Sequence, residues 1–196
     1  MPRITGATIA EHVATQETAV VAAARRLFSE RGVAAVSLGD IATEVGLRRT
    51  SLYRYFPTKA HILQRWFDAE MEPLLERSRA VIEEADDPRA ALLAWLAVQL
   101  DFVRDEEHAA LVDASSAASE MPPEIRADFG QRHRDLYATL DGVLRKGGAR
   151  TAEARRVRAL LIAGLIRSSS ELLTQGAPLA AVRRELNRAA TAVAGL

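Results

Sequence analysis

The sequence predicts an all-α fold, with an N-terminal three-helix head on a larger helical body and about nine helices in total. Hydrophobic residues make up 48% of the 196-residue chain but only 5% are aromatic, and the abundant alanine and arginine favour helices over strands. Apolar residues recur at helical spacing along most of the chain, which is typical of amphipathic helices. The prolines fall mainly between these periodic segments, where they begin or end helices.

The first predicted helix runs from about Thr15 to Arg31 and ends at Gly32. The preceding residues, 1–14, show no firm periodicity, and we expect them to form a flexible N-terminal arm. Residues 15–60 are predicted to form a compact head, because so few residues need all three helices to close one core.

Two further short helices complete the head. Ser37 can cap the first of them, since its hydroxyl can accept a hydrogen bond from a free backbone N–H group. Gly46 can leave that helix with a positive φ, and the second helix is predicted from about Arg48 to Tyr55, before Pro57. Two short helices joined by a glycine turn predict a helix-turn-helix, in which the second helix enters the DNA major groove.

Every charged side chain between residues 48 and 59 is basic, and hydroxyl groups lie among them. Arginine can bind guanine through two hydrogen bonds, whereas hydroxyls and lysine suit phosphate oxygens. The spacing alone leaves an alternative open, namely a solvated helical hairpin with a basic face.

Three motifs follow one another in register through this region: AxxLFxxxGxxxxS from Ala24 to Ser37, IAxxxG from Ile41 to Gly46, and LYxYF from Leu52 to Phe56, followed by Lys59. Together they resemble the TetR family of bacterial transcriptional regulators. The resemblance covers the 43 residues from Glu17 to Lys59.

This resemblance implies a DNA face, which consists of Ser37, Arg48, Arg49, Thr50, Ser51, Tyr53, Arg54, Tyr55 and Lys59. Lys59 resembles the lysine with which the family contacts phosphate at the start of its fourth helix. Arg48 departs from the family, which often has Ser or Thr at this position, and the missing cap costs about 1 kcal/mol. Whether Arg48 reads bases or only starts the helix stays open.

The remaining residues, 61–196, are predicted to form a ligand-binding and dimerisation domain. A long helix from Thr58 to about Ala85 connects it to the head and is the expected lever between them. The further predictions are a helix from Pro88, a short helix at Leu111 and Val112, a loop at Ser115–Glu124, a helix from Ile125 to Gly147, and two last helices at Thr151–Thr174 and Pro178–Ala194.

Gln99 and His133 interrupt apolar stripes of two predicted helices. A buried polar group needs a partner or a cavity, so these two residues and their apolar neighbours predict a mainly apolar effector pocket. Its predicted lining, called the effector residues below, is Trp66, Phe67, Met71, Trp95, Gln99, Phe102, Met121, Phe129, His133 and Tyr137. In the alternative, Gln99 and His133 form hydrogen bonds with neighbouring side chains in a core that has no pocket.

The last two predicted helices carry apolar stripes with small residues between them, which let helices approach closely. Their residues, called the dimer stripe, are Val157, Leu161, Gly164, Leu165, Ser168, Leu172, Leu179, Val182, Leu186 and Val193. The same pattern fits a hairpin within one chain. The family resemblance favours a homodimer, since its members dimerise through these helices.

Composition narrows the class of protein. The chain has no net charge, but residues 1–60 carry +3 and residues 61–196 carry −3, which suits a protein that presents one end to DNA. Without cysteine, a signal peptide or a long apolar run, we expect a soluble, cytoplasmic protein with no membrane contact. No nucleophile motif, phosphate loop or metal-ligand spacing is present, so we expect no enzyme activity, metal or cofactor.

These observations predict a homodimeric repressor that binds a palindromic double-stranded DNA operator and is released by a small, mainly apolar molecule. One alternative is a DNA-binding regulator whose body takes a protein partner or no ligand. Another is a helical small-molecule carrier with a vestigial DNA head.

Overall fold

The computed structural model describes residues 6–105, 108 and 121–196. Within these ranges every regular element is a helix, which confirms the predicted all-α class. The nine helices of the described ranges are α1 (Gly6–Arg31), α2 (Leu38–Glu44), α3 (Arg49–Tyr55), α4 (Lys59–Glu83), α5 (Pro88–Arg104), α6 (Pro123–Ala138), α7 (Asp141–Lys146), α8 (Ala152–Thr174) and α9 (Leu179–Ala194).

Helix α1 begins nine residues before the predicted start. The arm expected at residues 1–14 is therefore wrong for 6–14, which are helical, while residues 1–5 lie outside the described chain. No proline or glycine interrupts residues 7–14, and a helical backbone can form without an apolar stripe. Two threonine hydroxyls just after this stretch donate to its carbonyls, from Thr15 to Glu11 at 2.8 Å and from Thr18 to Ala14 at 2.9 Å.

The described chain divides into two compact units. Unit 1 comprises residues 6–69 and 121–129, and unit 2 comprises residues 70–105, 108 and 130–196. The predicted boundary between residues 60 and 61 differs from this division, because α4 and α6 each begin in unit 1 and end in unit 2. The predicted short helix at Leu111 and Val112, and the predicted loop up to residue 120, lie outside the described residues.

Unit 1 has a core to which each of its first four helices contributes. Phe28 of α1 and Trp66 of α4 stack with 6.4 Å between ring centroids. The side chains that are at most 3% exposed in this core include Val20, Ala24, Leu27, Phe28, Ile41, Leu52, Ile62 and Trp66. As predicted, Gly32 ends α1 and all three N-terminal helices share one core.

Unit 2 is built on α5, which packs against the hairpin of α8 and α9. The helix predicted from Ile125 to Gly147 is two helices, α6 and α7. Between them, the backbone N–H groups of Thr139 and Leu140 bond to carbonyls three residues back, and the Thr139 hydroxyl donates to the Leu136 carbonyl at 2.6 Å. A hydroxyl that occupies a helix carbonyl competes with the helical ladder, so the break falls here.

Two helix ends meet in unit 2 at one arginine. A Cβ atom at Gly147, which follows α7, would lie 2.1 Å from the carbonyl oxygen of Ala194 at the end of α9, so only glycine fits. Arg158 Nη1 donates to both the Gly147 and Ala194 carbonyls at 2.7 Å. A cation is favourable at helix C-termini, where carbonyls lack helical partners.

No helix in the ranges that the structure describes is both long enough and apolar enough to cross a membrane.

Replacing Arg158 with alanine is expected to destabilise the fold by about 1.5–3 kcal/mol, because two carbonyls lose hydrogen bonds to a charged donor. The unfolding midpoint in denaturant, measured by circular dichroism, should fall accordingly. Arg156→Ala provides the control, since Arg156 is exposed on the same helix. Equal midpoints for the two variants would contradict this role of Arg158.

Candidate nucleic-acid interface

Helix α2 begins at a capping box. The Ser37 hydroxyl accepts from the Asp40 backbone N–H at 3.2 Å, and the Ser37 backbone N–H donates to the Asp40 carboxylate at 2.8 Å. The Ser37 hydroxyl also donates to that carboxylate at 2.6 Å. These hydrogen bonds from the Ser37 side chain and backbone hold the pKa of Asp40 below its ordinary value. The one hydroxyl proton of Ser37 is thus already engaged within the cap.

The cap at Ser37 was predicted from the sequence, whereas the part of Asp40 in it was not. A signal was present, because Ser-x-x-Asp before an apolar run is a capping-box pattern. The box fixes the start of α2, and with it the direction from which the chain enters the helix-turn-helix.

The turn after α2 has the predicted glycine. Gly46 has a φ of +67°, a conformation that side chains with a Cβ atom rarely adopt. The Leu47 backbone N–H then bonds to the Ala42 carbonyl at 2.8 Å. The chain therefore leaves α2 sharply, and α3 starts at Arg49 after the four connecting residues 45–48.

Helix α3 is attached to unit 1 by its apolar side. Leu52 is completely buried, so the residues on the other side of the helix point outward. Arg48 precedes the helix in an extended conformation and makes no side-chain capping bond. Of the DNA face, Arg48, Arg49, Thr50, Tyr53 and Arg54 are exposed, whereas Ser51, Tyr55 and Lys59 are half-buried.

Arg49 and Tyr53 form a pair one helical turn apart. The Arg49 Nη2 and Nε atoms donate to the Tyr53 hydroxyl at 3.0 and 3.3 Å, and the guanidinium carbon lies 5.6 Å from the ring centroid. Tyr53 remains 41% exposed. The pair restricts two long side chains on the outward side of α3, which reduces the conformational entropy that they would lose on contact with a ligand.

Lys59 differs from the exposed members of the DNA face. Its Nζ atom donates to the backbone carbonyls of Val33 and Val36 at 2.5 and 2.8 Å. Two of its three N–H groups therefore bond within the protein.

The electrostatic character of α3 is uniformly basic. Residues 48–59 carry no acid, and the exposed acid that precedes them, Glu44, forms an ion pair with Arg26 of α1. An exposed, acid-free helix with arginines and hydroxyls is suited to bind phosphate and base edges.

Comparison with known proteins agrees with this geometry. The sequence profile of the bacterial regulatory proteins of the TetR family matches residues 20–65. The HTH-type transcriptional regulator EthR of Mycolicibacterium smegmatis is 28% identical over 116 residues, which make up 57% of this chain and 51% of EthR. Residues 20–65 are therefore of the TetR type. The chain spans about half the length of this curated relative, and the profile covers the TetR-type helix-turn-helix described above.

Two solved structures share the TetR-type fold over most of the chain. A transcriptional regulator from Saccharomonospora viridis in complex with choline gives a TM-score of 0.74 at 20% identity, covering 89% of this chain and 95% of the other. The regulator FadR from Bacillus subtilis in complex with stearoyl-CoA gives 0.73 at 20% identity, covering 91% and 98%. At such identity the likeness shows the fold alone, and it confirms the predicted architecture. All three relatives are named as regulators, which agrees with the expectation that this chain is not an enzyme.

The predicted effector residues divide between the two units. Trp66, Phe67, Met121 and Phe129 belong to unit 1, where Phe67 and Phe129 stack with 4.1 Å between ring centroids. Trp66 is fully buried, and its indole N–H has no hydrogen-bond partner in the described chain.

Six effector residues belong to unit 2: Met71, Trp95, Gln99, Phe102, His133 and Tyr137. Gln99 is 3% exposed and donates to the Ser78 hydroxyl at 2.9 Å. The Trp95 indole donates to the Thr139 hydroxyl at 3.0 Å, and its ring lies 5.8 Å from that of Tyr137. Ser78 and Thr139 were not identified from the sequence, because partners from distant helices leave no local pattern.

Unit 2 also contains a shallow groove of about 350 Å³ that is open to solvent. None of the predicted effector residues lines it. Its lining is Arg79, Ile82, Glu83, Asp135, Ala138 and Thr139.

The dimer stripe divides by exposure. On α8, Val157, Leu161 and Leu172 are 46%, 54% and 47% exposed, and the neighbouring Leu160 is 57% exposed. Gly164 and Leu165 are half-buried and Ser168 is exposed on the same helix. On α9, by contrast, Val182 and Leu186 are 7% and 4% exposed within the single chain, while Leu179 and Val193 are half-buried. The exposed apolar residues of α8 therefore form an uncovered apolar surface. Val182 and Leu186 of α9, by contrast, belong to the core of unit 2.

Replacing Arg48 with serine is expected to stabilise the fold by about 0.5–2 kcal/mol, because a serine hydroxyl at this extended position can cap α3. Denaturant unfolding should show a higher midpoint for Arg48→Ser than for Arg48→Ala, which removes the side chain without adding a cap. Equal midpoints would contradict the prediction that a hydroxyl at position 48 caps α3.

Burial raises the pKa of Tyr137 to about 12 from an ordinary value of 10.0, although the charge of Arg167 acts in the opposite direction. Since the folded state favours the neutral hydroxyl, its contribution to stability is complete below pH 10 and is lost as the pH rises through 12. The difference in tyrosinate absorbance between wild type and Tyr137→Phe should have a midpoint near pH 12. A midpoint near 10 would contradict burial of this hydroxyl.

Proposed function

We propose that this chain is a homodimeric transcriptional repressor of the TetR type, which binds a palindromic operator through α3 and is released by a small, mainly apolar effector. The observation that carries the proposal is the outward side of α3. There Arg49, Thr50, Tyr53 and Arg54 are exposed on a helix whose opposite side is fixed by the buried Leu52. Such a repressor acts in the cytoplasm, where its operator is accessible.

The dimensions of α3 suit the major groove. A helix with its side chains is about 10–12 Å in diameter, and the major groove of B-DNA, about 12 Å wide, admits one. Arg49 and Arg54 are the candidates for contacts to guanine, while Thr50 and Tyr53 offer hydroxyls to phosphate oxygens. We assign Ser37 to the α2 cap, because its hydroxyl proton already bonds to Asp40.

The proposed dimer forms through the uncovered apolar surface of α8. Val157, Leu160, Leu161 and Leu172 are each about half exposed, and exposed apolar patches on a monomer mark interaction sites. Two copies of α8 packed about a two-fold axis would cover these residues, and a two-fold symmetric dimer matches the symmetry of a palindromic operator. Half-sites would then lie roughly 34–36 Å apart. Val182 and Leu186 are not included in this surface.

Release by an effector requires that the effector bind the DNA-incompetent conformation more tightly. Helix α4 starts close after α3 and continues from unit 1 into unit 2, which supports its role as the lever. Complexes of similarly folded regulators with choline and stearoyl-CoA support a small molecule as the signal. A thermal-shift screen of lipophilic and cationic compounds would identify it through an increase in Tm.

One observation favours the alternative in which the body takes a protein partner or no effector. Gln99 already donates to Ser78 in the core, so this amide needs no ligand to satisfy it. This alternative would be supported if no compound in the screen raised Tm and none changed the affinity for the operator.

Genomic footprinting tests the repressor assignment. We expect occupied sites with two-fold symmetric half-sites one DNA turn apart. Deletion of the gene for this chain should increase transcription of the genes adjacent to these sites. Footprints without palindromic sites would contradict the proposed operator recognition.

Arg49→Ala is expected to lower operator affinity about 10-fold or more, since a bidentate arginine contact contributes about 1–3 kcal/mol. Tyr53→Ala is expected to lower it as well, because it removes a hydroxyl for phosphate and the side chain that holds Arg49. Fluorescence anisotropy with a labelled operator measures the effect. Arg145→Ala is a matched control, because Arg145 is exposed in unit 2. Unchanged affinity in both α3 variants would count against the DNA face.

Leu161→Glu is expected to convert the dimer to a monomer, because two buried carboxylates would face each other across the proposed interface without partners. Light scattering after size exclusion should show half the wild-type mass. Gln175→Glu, which adds the same charge at an exposed position after α8, should leave the mass unchanged. A wild-type chain that is monomeric at micromolar concentration would contradict the proposal.

A further inference from the structure

Gly164 lies in the middle of α8, well inside a helix that runs from Ala152 to Thr174. In a helix interior glycine is less favourable than every residue except proline, because it loses the most backbone freedom. Gly164 has no positive φ, and a Cβ atom added to it would meet no atom of the described chain within 4 Å. Neither the backbone conformation nor the packing within one chain therefore requires glycine at this position.

Gly164 lies within the uncovered apolar surface of α8. Val157, Leu160 and Leu161 precede it at helical spacing, so they lie on the same side of the helix, and each is about half exposed. The distance between two packed helices depends on the side chains at their contact. A residue without a side chain in the middle of this surface therefore lets a second helix come close.

The surface is suited to a second copy of itself in antiparallel orientation. About a two-fold axis at Gly164, each residue of one copy would face the residue equally far beyond Gly164 in the other. Arg156 would then face Leu172 of the second copy, with Glu171 of that copy beside it. Arg156 and Glu171 are exposed, and neither forms an ion pair within the described chain. The antiparallel arrangement brings these two opposite charges together.

A parallel arrangement of the two copies would be less favourable. Each charged residue would then face its own copy, and this applies to Arg156, Arg167 and Glu171. Like charges that face each other across an interface disfavour that arrangement. Because an exposed ion pair contributes little to affinity, the charges select the direction of the two helices, while the apolar residues hold them together.

We propose that two copies of α8 cross antiparallel at Gly164, which lies on the two-fold axis of the dimer and permits a short distance between the helices. The inference rests on the proposed homodimer and adds the point at which the copies meet, their relative direction and the role of the glycine. The interface is isologous, so each copy contributes the same residues.

Disulfide cross-linking tests the position of the axis. The chain has no cysteine, so one substitution gives one thiol per copy. Only a residue near the axis meets its own copy closely enough, because the Cα atoms of a disulfide lie about 4.4–6.8 Å apart. With copper phenanthroline as the oxidant, we expect Gly164→Cys to give a linked dimer on a non-reducing gel. Leu172→Cys is the matched control, since it lies about 12 Å along the helix from Gly164 and should stay unlinked.

The double variant Leu160→Cys/Ser168→Cys tests the direction of the two helices. Within one chain these positions are about 12 Å apart along α8, which is too far for a disulfide. Between antiparallel copies they face each other on either side of Gly164. We expect the double variant to give linked dimers, while each single variant stays largely unlinked.

Gly164→Ala tests the close approach of the helices. A methyl group added at a tight contact overpacks it, so we expect the dissociation constant of the dimer, measured by sedimentation, to rise about 10-fold. Gly142→Ala is the matched control. A Cβ atom at Gly142 also meets no atom within 4 Å, and this residue lies outside α8, so its dissociation constant should equal that of wild type.

Two results would overturn the inference. Linkage of Leu172→Cys without linkage of Gly164→Cys would mean that the copies cross elsewhere or run parallel. A wild-type dissociation constant in Gly164→Ala would mean that no second helix comes close to this residue. If the wild-type chain is monomeric at micromolar concentration, the proposed homodimer itself fails. If it is dimeric and Gly164→Cys stays unlinked, only the crossing point fails.

Discussion

Helix α3 depends on the rest of unit 1, because seven residues are too few to form a stable helix in water. Its stability comes from burying Leu52, which has no exposed surface. With that residue fixed in the core, the helical period determines which residues face outward. The same constraint explains why the outward side can consist of basic and hydroxyl residues, since packing places no demand on it.

The boundaries of α3 are fixed by backbone chemistry. Gly46 provides the positive φ that ends α2, and Pro57 follows α3 and disfavours its continuation. Ser37 and Asp40 fix the other end of the motif through their mutual hydrogen bonds. A short helix held at its entry, its exit and its apolar side presents its outward side chains in a fixed geometry, as recognition of a DNA groove requires.

The helix-turn-helix could be predicted from the sequence because its determinants are local. Gly46, Leu52 and Pro57 act through the conformation or periodicity of neighbouring residues. The bonds of Lys59 could not be predicted in this way, because their acceptors are backbone carbonyls 23 and 26 residues away, and carbonyls have no sequence signature. The start of α1 at Gly6 was missed for a different reason: residues 10–15 of the helix are mostly exposed and carry no apolar stripe.

In unit 2, too, the partners of polar and apolar side chains could not be predicted from the sequence. The sequence indicated that Gln99 needs a partner, but only the fold identifies Ser78, which lies 21 residues earlier in the chain. Apolar periodicity likewise cannot distinguish a side chain that packs within the chain from one that packs against a second copy. Val182 is buried in one chain while Leu161 is exposed, although both belong to similar stripes.

The central claim is that α3 is the element that reads DNA. Hydrogen exchange followed by mass spectrometry, with and without an operator duplex found by footprinting, tests it most directly. The proposal predicts that DNA slows exchange most strongly in residues 48–56, with smaller effects in the adjoining ends of α2 and α4. Unchanged exchange in residues 48–56, together with protection confined to unit 2, would contradict the claim.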